Sequence, residues 1–166
     1  MTNPLDRPVK DFMNRSFCLI DSGDSVLRAV ECMAEKGVGS VIITEKGKPV
    51  GVVTEKDVLY KVVLKSLNPS EVKLREVMST PIIKVSPKTP LREALKVMAE
   101  KNIRRVLVAE DDNPLGVLTL KASLCILHVK RLEKQKQPES WLQKHIDEVT
   151  TDVIKHFEDL LKEVED

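Results

Sequence analysis

One phrase of this sequence occurs twice, and the spacing of its copies constrains the fold more than any other feature. Pro49-Val50-Gly51-Val52-Val53-Thr54-Glu55-Lys56-Asp57 returns 65 positions later as Pro114-Leu115-Gly116-Val117-Leu118-Thr119-Leu120-Lys121-Ala122. Proline, glycine, valine, threonine and lysine are kept, while the aspartate becomes alanine. The offset holds without a gap from Val9-Lys10-Asp11-Phe12-Met13, matched to Leu74-Arg75-Glu76-Val77-Met78, as far as Leu59 and Leu124. Met13, Ala29, Met33, Ala34, Glu35, Lys36, Val41, Glu45, Pro49, Gly51, Val52, Thr54, Lys56 and Leu59 recur unchanged. A gapless match of this length marks two copies of one structural unit.

Each copy decodes in the same way. A short strand (Phe17 to Ile20; Ile82 to Val85) leads into a helix whose apolar residues recur at helical spacing: Val26, Ala29, Val30 and Met33, then Leu91, Ala94, Leu95 and Met98. Asp24 is the expected cap of the first helix, and Thr89 that of the second, with Pro90 at the first helical position. Gly37 and Asn102 suit a left-handed helix exit. Two strands follow, Val41 to Thr44 and Val50 to Val53, joined by a glycine-bearing hairpin turn; Val106 to Ala109 and Leu115 to Leu118 repeat them. A second helix closes the unit, with Val58, Leu59, Val62, Val63 and Leu67 expected on one face. The order β-α-β-β-α predicts an α+β fold in which two small sheets cover their apolar faces with helices and with each other. The boundaries are 9–68 for the first repeat, 69–128 for the second and 129–166 for a helical tail, after an extended arm over residues 1–8.

Composition narrows the function classes. The chain has 166 residues, 42% hydrophobic and 32% charged, as in globular proteins. A net charge of +1 gives no overall pull toward nucleic acid or anionic membrane. The first 15 residues do not read as a signal peptide, and no apolar run is long enough to span a bilayer. Cys18 and Cys32 sit among apolar neighbours and are expected as small buried hydrophobes rather than a disulfide pair; this argues for a reducing, cytoplasmic setting. No cysteine or histidine spacing suits a metal site, and no nucleophile elbow or phosphate loop occurs, so the chain is expected not to be an enzyme.

The repeated pattern resembles a tandem pair of CBS domains (named for cystathionine β-synthase), often called a Bateman module. The resemblance rests on the two openings ending in Met13 and Met78, on Met98-Ala99-Glu100-Lys101-Asn102-Ile103-Arg104-Arg105, and on both Gly-Val-x-Thr phrases. It spans roughly residues 9–128. It implies a regulatory module that binds an adenosine-containing nucleotide in the cleft between repeats and associates as a homodimer through its helices.

The residues of Thr54-x-x-Asp57 admit two readings. A threonine followed three residues later by an acid is first a capping box for a helix start. An ionised carboxylate there is also an acceptor for vicinal ribose hydroxyls, as in dinucleotide-binding folds. The resemblance implies that Thr54 and Asp57 hold a ribose, that Gly39 and Ser40 line the site, and that Thr80, Pro81, Ile82 and Ile83 contact adenine. Arg104 and Arg105 are placed to meet phosphates, the alternative being solvated charge near a helix end. A second, weaker site would carry Thr119 and Cys18; Ala122 cannot bind a diol, and Gly39 and Ser40 stand where the first site has its arginines. AMP, ADP or ATP is the expected ligand, with S-adenosylmethionine or NAD as alternatives.

After Leu127 the composition changes. A basic run (Lys130, Arg131, Lys134, Lys136) precedes an apolar stripe of Leu142, Ile146, Val149, Val153, Phe157, Leu160 and Val164 on a strongly acidic segment. The stripe reads as a helix packed on its own module or on a second copy, or as a docking helix for an unidentified regulated protein. Nucleic acid is the weaker partner, because few aromatics are available to stack bases and the acidic segment repels phosphate. A dimerisation scaffold with vestigial pockets is the rival function.

Overall fold

The computed structural model of the chain describes residues 3–134. Strand β1 (Leu19–Asp21), helix α1 (Val26–Lys36), strands β2 (Ser40–Glu45) and β3 (Lys48–Thr54) and helix α2 (Glu55–Val58) form the first repeat, α2 running on into a π-helical turn, Leu59–Val63. Helix α3 (Leu74–Val77) opens the second repeat, followed by β4 (Lys84–Val85), α4 (Leu91–Glu100), β5 (Arg105–Glu110), β6 (Asn113–Thr119) and α5 (Leu120–Lys134). This is the expected α+β duplication. Helix α5 runs as one element through the boundary expected at residue 128. The expectations for residues 135–166 lie outside the described residues.

The two sheets share one topology, β1-β2-β3 and β4-β5-β6, each with a parallel and then an antiparallel pair. Even their irregularities coincide: the register slips between Ile43 and Thr44 in one sheet and between Val108 and Ala109, 65 residues on, in the other. The first hairpin turns through Lys46 (φ 49°) and Gly47 (φ 78°), both left-handed, as a two-residue turn matched to strand twist requires.

Each repeat is completed by the opening of the other. Val9 and Phe12, which begin repeat one, are buried with Leu91, Ala94, Met98, Val106, Val108 and Leu118 of repeat two. Leu74 and Val77, which begin repeat two, are buried in the core of repeat one with Val26, Ala29, Val41, Ile43 and Val53. Backbone bonds fix the exchange. Val52 and Ser79 trade N–H donors at 3.0 and 2.9 Å; Asn14 and Val117 do the same at 2.9 Å each. The glycines kept in the repeated phrase stand at these crossings. A Cβ on Gly51 would come within 2.8 Å of Met78 Sδ and 3.0 Å of the Ser79 carbonyl; one on Gly116 would lie 2.7 Å from the Asn14 carbonyl and 2.8 Å from Met13 Sδ. A third cluster, Ile42, Leu107, Ala109 and Val117 with Phe17, Val52 and Ile82 against it, joins the two sheets face to face.

Several local expectations are corrected by this exchange. Ser25, not Asp24, caps α1, its Oγ accepting from the Arg28 N–H at 3.3 Å; the Asp24 carbonyl accepts from the Leu74 N–H. Helix α4 has no side-chain cap at Thr89, and Pro90 precedes its first turn. Its leading Leu91 N–H donates to the Arg7 carbonyl, as Val26 N–H does to Val72, so the exchanged segments satisfy the donors left free at both helix starts. The first strands are shorter than expected, since Phe17 and Ile82 pack between the sheets. The arm before Val9 is not simply extended: Pro4–Asp6 form a 3-10 turn, Leu5 packs on repeat two, and Asp6 pairs with Arg92. In the helix after β3, Val58 and Val62 are buried, whereas Leu59, Val63 and Leu67 are exposed together with Tyr60 and Leu64.

The cysteines require the largest correction. Cys18 and Cys32 are buried as expected, but they are joined in a disulfide across a sequence separation of 14. Cys18 precedes β1 and Cys32 lies on the buried face of α1, so packing that strand against that helix brings the two Cβ atoms together. With Cys18 and Cys32 bonded, cysteine usage does not point to a reducing compartment.

Two predictions follow from these contacts. Gly51→Ala and Gly116→Ala each force displacement of the crossing segment and lower unfolding free energy by about 1–3 kcal/mol, read from urea midpoints. A Cys18→Ala/Cys32→Ala variant is less stable than the oxidised protein by about 3 kcal/mol, the chain-entropy value for a loop of this length. A reductant should abolish that difference.

Candidate functional site

The residue that ends β3 also begins the next helix. Thr54 Oγ1 accepts from the Asp57 N–H at 3.2 Å, and Asp57 Oδ2 accepts from the Thr54 N–H at 2.9 Å and from its hydroxyl at 2.7 Å. The capping box is therefore fully formed, and it stands the Asp57 carboxylate at the wall of a cleft between the repeats. The other Asp57 oxygen, Oδ1, lies 2.7 Å from Lys61 Nζ, one helical turn on. Burial acts to raise the Asp57 pKa, but hydrogen bonds from Lys61 and Thr54 overcome it and hold the carboxyl below its ordinary value. Asp57 is thus an ionised, partly desolvated acceptor.

The cleft encloses about 790 Å³, within the range of small-molecule sites. Repeat one lends Gly39, Thr54 and Asp57 to its lining, and repeat two lends Pro81, Ile82, Ile83, Arg104 and Arg105. Its floor is the sheet-to-sheet contact, with Ile42, Val52, Leu107 and Val117 giving an apolar surface suited to a flat ring. Arg105 is half-buried and reaches across the interface, Nη1 donating to the Gly39 carbonyl at 3.1 Å. Burial, and then the neighbouring Arg104, push its pKa down, while Glu55 and Asp57 oppose the shift. The two guanidiniums repel one another, and an anion between them would relieve that repulsion.

Three expected residues sit elsewhere. Thr80 does not line the cleft; its hydroxyl donates to the Val50 carbonyl at 3.0 Å, and the Ile82 N–H donates to the same carbonyl, so this wall offers apolar surface more than free backbone donors. Ser40 is buried and faces the mirror cleft instead. Cys18 lines neither cleft, because it is 1% exposed and bonded to Cys32 in the core of repeat one. Lys56, Tyr60 and Lys61 line the first cleft without having been anticipated; the Lys56 ammonium lies 5.2 Å from the Tyr60 ring centre. A signal for Lys61 existed: it stands four residues after Asp57, and the matching pair in the second copy is Ala122 and Ile126, so the acid and the base are lost together.

The mirror cleft encloses about 880 Å³ and contains Asn14, Ser16, Phe17, Ser40 and Thr119. Thr119 keeps the capping role alone, its Oγ1 accepting from the Ala122 N–H at 3.2 Å, and it borders both clefts. No carboxylate stands at the position matching Asp57. Among the described residues there is no cluster of His, Cys, Asp and Glu able to hold a metal ion, and no helix long and apolar enough to cross a membrane.

Comparison with known proteins agrees with this architecture. The family model of the CBS domain matches residues 9–64 and again 74–122. An uncharacterized protein of Methanopyrus kandleri is 43% identical over 91 residues, 54% of this chain and 46% of that one. The chain thus spans about half the length of this relative. The CBS domain-containing protein YhcV of Bacillus subtilis is 26% identical over 112 residues, covering 68% of this chain and 79% of that one. Among solved structures, a hexameric CBS-CP12 protein from bloom-forming cyanobacteria superposes with a TM-score of 0.67 at 27% identity, over 74% of this chain and 72% of that one.

The acid side of the pH profile tests the electrostatics. A carboxyl whose folded pKa is depressed contributes stability above its unfolded pKa, and that contribution disappears as pH falls through the folded value. Asp57 is such a group. So is Asp112, held at about 2 by hydrogen bonds from Lys84 and, across the repeats, Lys48. Urea midpoints should fall as pH drops below about 4, and Asp57→Asn or Asp112→Asn should each flatten that fall.

Proposed function

The chain belongs to the CBS-domain family, and from that premise we propose that it is a non-catalytic regulatory module whose first cleft binds an adenosine-containing nucleotide. One observation carries the reading: an ionised acid from one repeat and an arginine pair from the other border a single cleft, and in its mirror image, which Glu55 and Arg105 also reach, alanine stands at the position of that acid. The Ile82 and Ile83 wall and the sheet-to-sheet floor suit adenine. Asp57 suits the ribose hydroxyls, and Arg104 and Arg105 suit phosphate. AMP, ADP and ATP fit this chemistry best; NAD or S-adenosylmethionine share its adenosine half.

Because the ligand would touch both repeats, its binding favours one arrangement of them over others, and a partner protein reads the difference. A second copy is the natural cover for the apolar strip of Leu59, Tyr60, Val63 and Leu64, which stands exposed on one helical face. That strip also favours a second reading, a dimerisation scaffold in which the capping box is the whole purpose of Asp57.

A thermal-shift panel of AMP, ADP, ATP, NAD and S-adenosylmethionine separates the two, since ligands stabilise by mass action. A binder is expected among them, and a flat panel supports the scaffold. By calorimetry, Asp57→Ala should weaken the binder by about 1.5–3 kcal/mol, the worth of a charge-assisted hydrogen bond. Unchanged affinity would remove Asp57 from the site.

A further inference from the structure

The first cleft contains a competitor for its own acceptor. An ionised carboxylate offers about four lone-pair positions, and three of those on Asp57 are engaged: two on Oδ2 by the Thr54 N–H and hydroxyl, one on Oδ1 by Lys61 Nζ at 2.7 Å. A single hydroxyl can enter at the position left on Oδ1. A vicinal diol, which needs two positions, cannot enter without displacing a donor. The Thr54 N–H is fixed by the strand end, and its hydroxyl is fixed by also accepting from the Asp57 N–H. Lys61, at the end of a flexible stem and 40% exposed, is the donor free to leave.

The same ammonium holds a second group. Lys61 Nζ donates at 2.7 Å to the carbonyl of Val77, the last residue of α3. The next residues, Met78 and Ser79, cross β3 beside Gly51 and lead directly to Pro81, Ile82 and Ile83, the cleft wall contributed by repeat two. Lys61 therefore ties the acid of one repeat to the segment by which the other repeat enters its core. The second copy has Ala122 and Ile126 at the matching positions and lacks both ends of the tie.

We propose that Lys61 is a displaceable tether: it occupies the diol-accepting position of Asp57 when no diol is bound, and a ligand diol evicts it, releasing the Val77 carbonyl and loosening the crossing residues Met78–Thr80 that lead to the wall. The inference rests on the nucleotide reading above and supplies its regulation. It makes Lys61 an antagonist of diol binding. It also routes occupancy of the cleft to the junction between repeats rather than to the cleft alone.

The test uses adenosine, which has the diol and no phosphate, and 2′-deoxyadenosine, which has a single sugar hydroxyl at that edge. By calorimetry Lys61→Met, which keeps the stem and loses the ammonium, should bind adenosine about three- to five-fold more tightly than the wild type, the range of a partly exposed ion pair. It should leave 2′-deoxyadenosine affinity unaltered, and Lys61→Arg should restore the weaker adenosine binding. In wild-type protein, adenosine should speed amide hydrogen exchange at Met78, Ser79 and Thr80; in Lys61→Met that exchange is fast from the start and adenosine adds nothing. Equal or weaker adenosine binding by a folded Lys61→Met overturns the tether while leaving the nucleotide reading intact. Absence of binding by the wild type to adenosine, AMP and ATP alike overturns that reading and the tether with it.

Discussion

Two backbone crossings hold this protein together. Where Val52 pairs with Ser79, and Asn14 with Val117, the opening of each repeat lies against a strand of the other, close enough to exclude a Cβ at Gly51 and Gly116. Burial of Val9 and Phe12 in one core, and of Leu74 and Val77 in the other, makes each repeat incomplete without its twin. The sheets are thereby fixed face to face, and the clefts arise at the two edges of that contact. Neither repeat would form them alone.

The duplication is symmetric in backbone and asymmetric in chemistry. Register, bulge position, hairpin and capping threonine are shared. Around the first cleft stand Asp57 and Lys61 with Arg104 and Arg105; the matching positions around the second are Ala122 and Ile126 with Gly39 and Ser40. The shared glycines stand at the crossings, whereas Asp57, Lys61, Arg104 and Arg105, none of which recurs in the other copy, line the first cleft. Thr54 and Thr119 cap helices in both copies and so need not differ. An acid is required by the helix start in neither copy, and its presence in one alone is what gives the first cleft its distinct electrostatics.

Much of this was legible in the residues. A gapless offset implies two like folds, and alternating apolar runs between turn residues locate the strands to within two or three positions. The pairing of Thr54 with Asp57 could be read because three-residue spacing at a helix start is a local matter. What escaped reading was non-local. Ser25 rather than Asp24 caps α1 because Ser25 is the residue held extended before the helix, bridged to Lys73 of the other repeat. The Cys18–Cys32 bond depends on how β1 settles on α1, which composition does not reveal. Leu59 and Val63 fit a helical face by period, yet that face carries no cover among the described residues.

The sequence by itself determined the duplication, the element order, the capped helix at Thr54 and the inequality of the two copies, since each follows from spacing and residue type along the chain. Only the tertiary structure decided which residues meet. It linked Lys61 to Val77, carried Arg105 across to Gly39, withdrew Cys18 into the core and turned Ser40 to the opposite cleft. The reason is the exchange of opening segments. It superimposes residues 65 positions apart as symmetry mates but brings different ones into contact, and contact, not correspondence, makes a site.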